Sequence, residues 1–131
     1  MNPIPSVRAF RPHEWRVYRD LRLRALEDSP DAFGMTFSEE KDRADAEWSN
    51  RLVSGADTRW NFPVVAELAG EAIGLAWGRI EPSEPEAAHL YQMWVDPRFR
   101  RLGAGQMLLR AVIDWAKRCG CSLSCLGCNM W

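Results

Sequence analysis

The chain has 131 residues, enough for one domain with a real core, and its 47% apolar and 27% charged residues match an ordinary soluble globular protein. No apolar run is long enough to span a membrane and no charged-then-apolar leader opens the chain, so a cytoplasmic, reducing setting is expected. A net charge of −1 sets up no global field for nucleic acid, so any anion site must be local.

In chain order, Ser6–Phe10 alternates polar and apolar residues and reads as a first strand. Pro12 opens a helix marked by Trp15, Tyr18, Leu21 and Ala25, and Ser29-Pro30 stops it. A loop leads to a second helix, capped by Thr36 with Glu39, carrying Ala44, Trp48 and Leu52 on one face and ending near Gly55. Val64–Leu68 and Ile73–Ile80 read as a hairpin. After the acidic loop Glu81–Glu86, Ala88–Val95 is a fourth strand ending at Asp96-Pro97. A helix over Gly103–Cys119 follows, with Leu108, Val112, Trp115 and Cys119 as its buried stripe, and Ser122–Leu126 is a fifth strand. This order predicts a single mixed α/β domain over residues 1–131.

The chemistry concentrates in VDPRFRRLGAGQMLLRAVIDWA, Val95 to Ala116. A strand ends, Arg98, Arg100 and Arg101 follow, and Gly103 and Gly105 open an amphipathic helix. The first N–H groups of a helix lack intrahelical partners and its dipole is positive there. Glycines admit a phosphate to the backbone, and arginines add charge, so a phosphate or pyrophosphate is expected at residues 101–106. Glycine spacing alone equally fits a plain strand-to-helix turn. Gln106-Met107 excludes a P-loop, and Leu108 stands where the dinucleotide fingerprint needs a third glycine.

Arg100-Arg101-Leu102-Gly103-Ala104-Gly105 resembles the Gln/Arg-x-x-Gly-x-Gly/Ala acetyl-CoA signature of the GNAT N-acetyltransferase superfamily, and LYQMWVDPRF resembles the strand and turn before it. The resemblance implies a mostly antiparallel sheet with helices on both faces. It also implies an acetyl-CoA-dependent N-acetyltransferase, without metal, in which a primary amine attacks the thioester directly. Met93, Trp94 and Val95 would give main-chain contacts to the pantetheine, and Arg100, Arg101, Leu102, Gly103, Ala104, Gly105 and Gln106 would wrap the pyrophosphate. A fourth-strand N–H would stabilise the developing oxyanion.

Some family members carry a glutamate base on the fourth strand, and the corresponding position here is His89. Simple alternation puts His89, Tyr91, Met93 and Val95 on one face. A histidine can act as base near neutral pH, directly or through water, although a single hydrogen-bonded strand histidine fits the same sequence. Glu81, Glu84 and Glu86 are rivals, with a solvated loop the simpler reading. The family's first two helices shape the acceptor site, which here brings in Phe33, Met35 and Phe37; these, with Trp60 and Phe62, also suit a core. The acceptor is a small-molecule or peptide amine, with no nucleic acid or membrane partner.

Cys119, Cys121, Cys125 and Cys128 crowd into ten residues, whereas zinc sites bring two close pairs across a longer loop, so free thiols are expected. Against the resemblance, the chain lacks a further helix, with the tyrosine that commonly protonates the thiolate, and two strands; Tyr91 is on the wrong element to replace it. The expectation is therefore a C-terminally incomplete domain. Read one base later, Cys128–Trp131 becomes Val or Ala, Thr or Ile, then Cys, with Gly next, which resembles the family's usual continuation and suggests a frameshift. The alternative function is a catalytically weak CoA- or partner-binding domain, whose exposed strand edge could pair with a second copy.

Overall fold

The computed structural model describes residues 4–28, 37–54 and 59–124. Strand β1 is Ser6–Ala9 and helix α1 is Trp15–Asp28. Two helices follow, α2 over Phe37–Glu40 and α3 over Asp45–Ser54. Strands β2 (Asn61–Leu68), β3 (Glu71–Ile80) and β4 (Ala87–Val95) lead through a 3-10 turn at Pro97–Phe99 to helix α4, Ala104–Arg118, and β5, Ser122–Ser124. The strands lie in chain order, antiparallel from β1 to β4, with β5 parallel to β4. Only this last pair needs a crossover, and α4 supplies it.

Helix α4 covers one face of the sheet. Its Leu108, Val112 and Trp115 meet Val64, Ala66, Ala76, Leu90, Met93 and Val95. Cys119, expected in this stripe, is instead the exposed C-cap residue, because the helix ends at Arg118. Trp60 and Phe62 also pack on this side; Phe62 stacks on Trp115 with ring centroids 5.5 Å apart. The Trp115 ring reaches β3 because residue 78 is glycine: a Cβ there would stand 2.8 Å from Trp115 Cζ3. Gly78→Val is expected to lower stability by about 1–3 kcal/mol through overpacking, read as a lower denaturant midpoint with an unchanged slope.

Helices α1 and α3 cover the opposite face, where Tyr18, Leu21, Ala25, Trp48 and Leu52 meet Val65, Leu75 and Trp94. The entry to α1 is held by Glu14, whose carboxylate accepts the Arg11 N–H at 2.7 Å and pairs with Arg8 at 2.7 Å. The Arg8 hydrogen bond comes first among the causes that bring the Glu14 carboxyl down to about 2.

The helix expected over residues 36–54 is broken, with a turn between α2 and α3. Glu40 is 1% exposed, and a buried carboxylate needs partners. Arg43 reaches it from the turn at 3.1 Å and Arg51 from α3 at 2.9 Å, which folds the chain back on Glu40. Ala44 is exposed, whereas Trp48 and Leu52 are buried as expected. Thr36, Ser29-Pro30 and Gly55 lie outside the described residues.

Candidate active site

The strand β4 carries a bulge. Leu75 pairs with Trp94 but Trp77 with Tyr91, so Gln92 and Met93 together face Ala76. Gln92 takes up the extra residue with φ 58°. This overturns the expected alternation. Leu90, Met93 and Val95 pack on the α4 side, while Trp94 packs on the α1 side. His89 and Tyr91 therefore lie on the face opposite Met93 and Val95. The Tyr18 hydroxyl donates to Gln92 Oε1 at 2.8 Å and holds the bulge against α1.

On the α4 side, a cleft of about 600 Å³ is lined by Met93, Val95, Arg100, Arg101, Gly103, Ala104, Gly105, Gln106 and Leu109. Eight of the ten residues expected to meet a CoA lie on this wall. Of the other two, Leu102 is 46% exposed, and the Trp94 side chain points to the α1 layer. Leu109 was missed, though its position one helical turn beyond Gly105 was the available signal. Asp96 accepts the Arg98 N–H at 2.9 Å and starts the 3-10 turn. The loop then takes left-handed backbone at Arg101 (φ 73°) and Gly103 (φ 87°). Gly103 caps α4 with no side-chain hydrogen bond, and the first intrahelical bond in this turn runs from Met107 N–H to Gly103 carbonyl. The N–H groups of residues 104–106 are thus left to a ligand. A Cβ on Gly105 would stand 3.7 Å from Met93 Cε, an ordinary contact, so this position of the cleft wall has room for alanine.

On the α1 side, a second cleft of about 670 Å³ is lined by Tyr18, Glu47, Asn50, Arg51, Asn61, Trp77, Arg79, Glu81, Tyr91 and Gln92. Its floor is aromatic and its rim charged. All four of its charged lining residues are paired: Arg51 with Glu40, Arg79 with Glu81 at 2.7 Å, and Glu47 with Arg43 at 2.9 Å. The Arg79 hydrogen bond leads the causes that lower the pKa of the Glu81 carboxyl. Glu84 and Glu86 are exposed and lie outside both clefts. So do Trp60 and Phe62, which settle in the α4-side core, and Phe37, half-buried beneath Lys41. Phe33 and Met35 lie outside the described residues.

His89 is 5% exposed and lines neither cleft. Its ring lies 6.2 Å from that of Tyr91, and its Nδ1 has no hydrogen-bond partner among the described residues. No group of three or more His, Cys, Asp or Glu among the described residues could hold a metal ion, and no described helix is long and apolar enough to cross a membrane.

This arrangement has known counterparts. A GNAT-family acetyltransferase from Streptococcus pneumoniae superposes with a TM-score of 0.72 at 19% identity, over 88% of this chain and 68% of that one. An acetyltransferase from Clostridium acetobutylicum solved with acetyl-CoA gives 0.72 at 15% identity, over 93% and 80%. An aminoglycoside N-acetyltransferase in complex with CoA gives 0.71 at 18%, over 95% and 77%. These likenesses define the acetyltransferase fold. Residues 16–130 match the Acetyltransferase (GNAT) family, and the chain belongs to that family. An L-2,4-diaminobutyric acid acetyltransferase of Nocardia farcinica (strain IFM 10152) is 35% identical over 57 residues, which span 41% of this chain and 30% of that enzyme.

Proposed function

We propose that the chain is an N-acetyltransferase that moves an acetyl group from acetyl-CoA to a primary amine by direct attack within a ternary complex. One observation carries this reading: Gln92 and Met93, adjacent in the β4 bulge, line the two opposed clefts. A thioester lying against Met93 and an amine entering past Gln92 would meet at a single step of the backbone.

Bound acetyl-CoA supplies the thioester; the amine nitrogen forms the new C–N bond, the C–S bond breaks, and the CoA thiolate leaves and takes a proton from solvent. The residue 104–106 N–H groups and the Arg101 guanidinium bind its pyrophosphate, with Arg100, Leu102 and Gly103 forming the loop. Met93, Trp94 and Val95 offer main chain to the pantetheine. The bulge breaks the β3–β4 register at Gln92 and Met93, and a main-chain N–H of this stretch would meet the developing oxyanion. The amine, a small molecule or a peptide, enters the aromatic cleft. His89, which lines neither cleft, takes the amine's proton through water. The setting is the cytoplasm.

Titration with CoA, with ATP as competitor, tests the cosubstrate site. Displacement by CoA but not by ATP is expected, and equal displacement would leave a generic nucleotide-phosphate binder. For the proton route, His89→Gln is expected to lower kcat about a hundredfold while CoA affinity stays unchanged. An unaltered kcat would remove His89 from the mechanism.

A further inference from the structure

Helix α1 grips the end of β4 and the residue that follows it at every second position. Tyr18 binds Gln92, Asp28 accepts the Trp94 indole N–H at 2.9 Å, and Arg24 pairs with Asp96. The last turn of α1 also reaches the cradle itself. Arg100 donates through Nε to the Val95 carbonyl at 2.9 Å and through one Nη to Asp28 Oδ2 at 3.2 Å. One carboxylate oxygen thus ties together the helix end, the strand's indole and the first residue of the phosphate loop.

Arg101, the next residue, has φ 73°. A non-glycine residue persists in that conformation only where its surroundings fix it. Its own guanidinium is exposed and has no ion pair or hydrogen bond among the described residues. The two arginines therefore divide the work: Arg100 is held on protein groups, and Arg101 presents its charge outward.

From this geometry we infer that Asp28 is a positioning residue for the phosphate cradle, holding Arg100 as a brace that sets the loop from Arg100 to Gly103. The inference rests on the cosubstrate site proposed above. It also makes α1, which walls the amine cleft through Tyr18, the element that fixes the pyrophosphate loop.

The test measures binding of CoA and of acetyl-pantetheine, which lacks the pyrophosphate, to the parent chain, Asp28→Asn and Asp28→Glu, with a thermal melt of each. Asp28→Asn is expected to weaken CoA about tenfold, the worth of one charge-assisted hydrogen bond. Acetyl-pantetheine binding and the melting temperature should stay near the parent's, and Asp28→Glu should recover most of the CoA affinity. Equal weakening of both ligands together with a lower melting temperature would mark Asp28 as merely structural and overturn the inference. So would unchanged CoA binding in Asp28→Asn. Failure of the parent chain itself to bind CoA would instead overturn the cosubstrate site, and the brace with it.

Discussion

Replacing Gly103 by tryptophan is expected to weaken CoA binding about a hundredfold or more, the loss of two hydrogen bonds to a charged group. Gly103 sits at φ 87° as the N-cap of α4, within the wall of the α4-side cleft. A side chain there is strained by the backbone, and an indole would stand over the free N–H groups of the helix's first turn. Gly105→Ala is the matched control. Its Cβ would make ordinary contacts at 3.7 Å with Met93 and 3.8 Å with Val95, and alanine favours the helix. Retained CoA affinity in both variants, measured by equilibrium titration, would contradict the cradle's placement.

The second large effect is at Glu40. Glu40→Gln keeps the shape but removes the buried charge that holds Arg43 and Arg51, and should cost about 2–4 kcal/mol. Burial pushes this carboxyl's pKa up, but the hydrogen bonds and charges of Arg51 and Arg43 outweigh burial and hold it below its ordinary value. Its contribution is therefore fully present above the unfolded carboxyl's pKa and is lost as the pH falls through the lower folded value. Chemical denaturation across the acid range should show the parent losing more stability than Glu40→Gln, so that the two curves converge. Parallel curves would show that Glu40 carries no pH-linked stability. Because Arg51 lines the amine cleft, the variant should also alter KM for the amine.

These two sites differ in how far the sequence revealed them. That the loop and helix start of residues 100–106 line one cleft was legible because the signal is local: glycines, arginines and a helix start lie within a few consecutive residues. The chain order of the elements and the burial of Leu108, Val112 and Trp115 followed from periodicity for the same reason. The β4 bulge was not legible, since Gln92 adopts left-handed backbone without glycine or asparagine to announce it. That single residue reverses the face of everything after it, which is why Met93 and Val95 part from His89 and Tyr91. The break between α2 and α3 was equally hidden. It arises from burying Glu40 against Arg51, eleven positions along, in a stretch with no glycine or proline to mark it. The amine cleft draws on α1, α3, β2, β3 and β4, so residues such as Tyr18, Asn61 and Gln92 come together only in three dimensions.

The central claim is that two clefts meeting at the β4 bulge carry acetyl transfer between them. The most direct measurement is release of free CoA thiol from acetyl-CoA by this chain across a panel of primary amines. The expected result is thiol release that depends on both the amine and the enzyme, saturates in each substrate, and disappears in Gly103→Trp. Tight CoA binding with no amine-dependent release from any acceptor would contradict it and leave a CoA-binding domain without transferase activity.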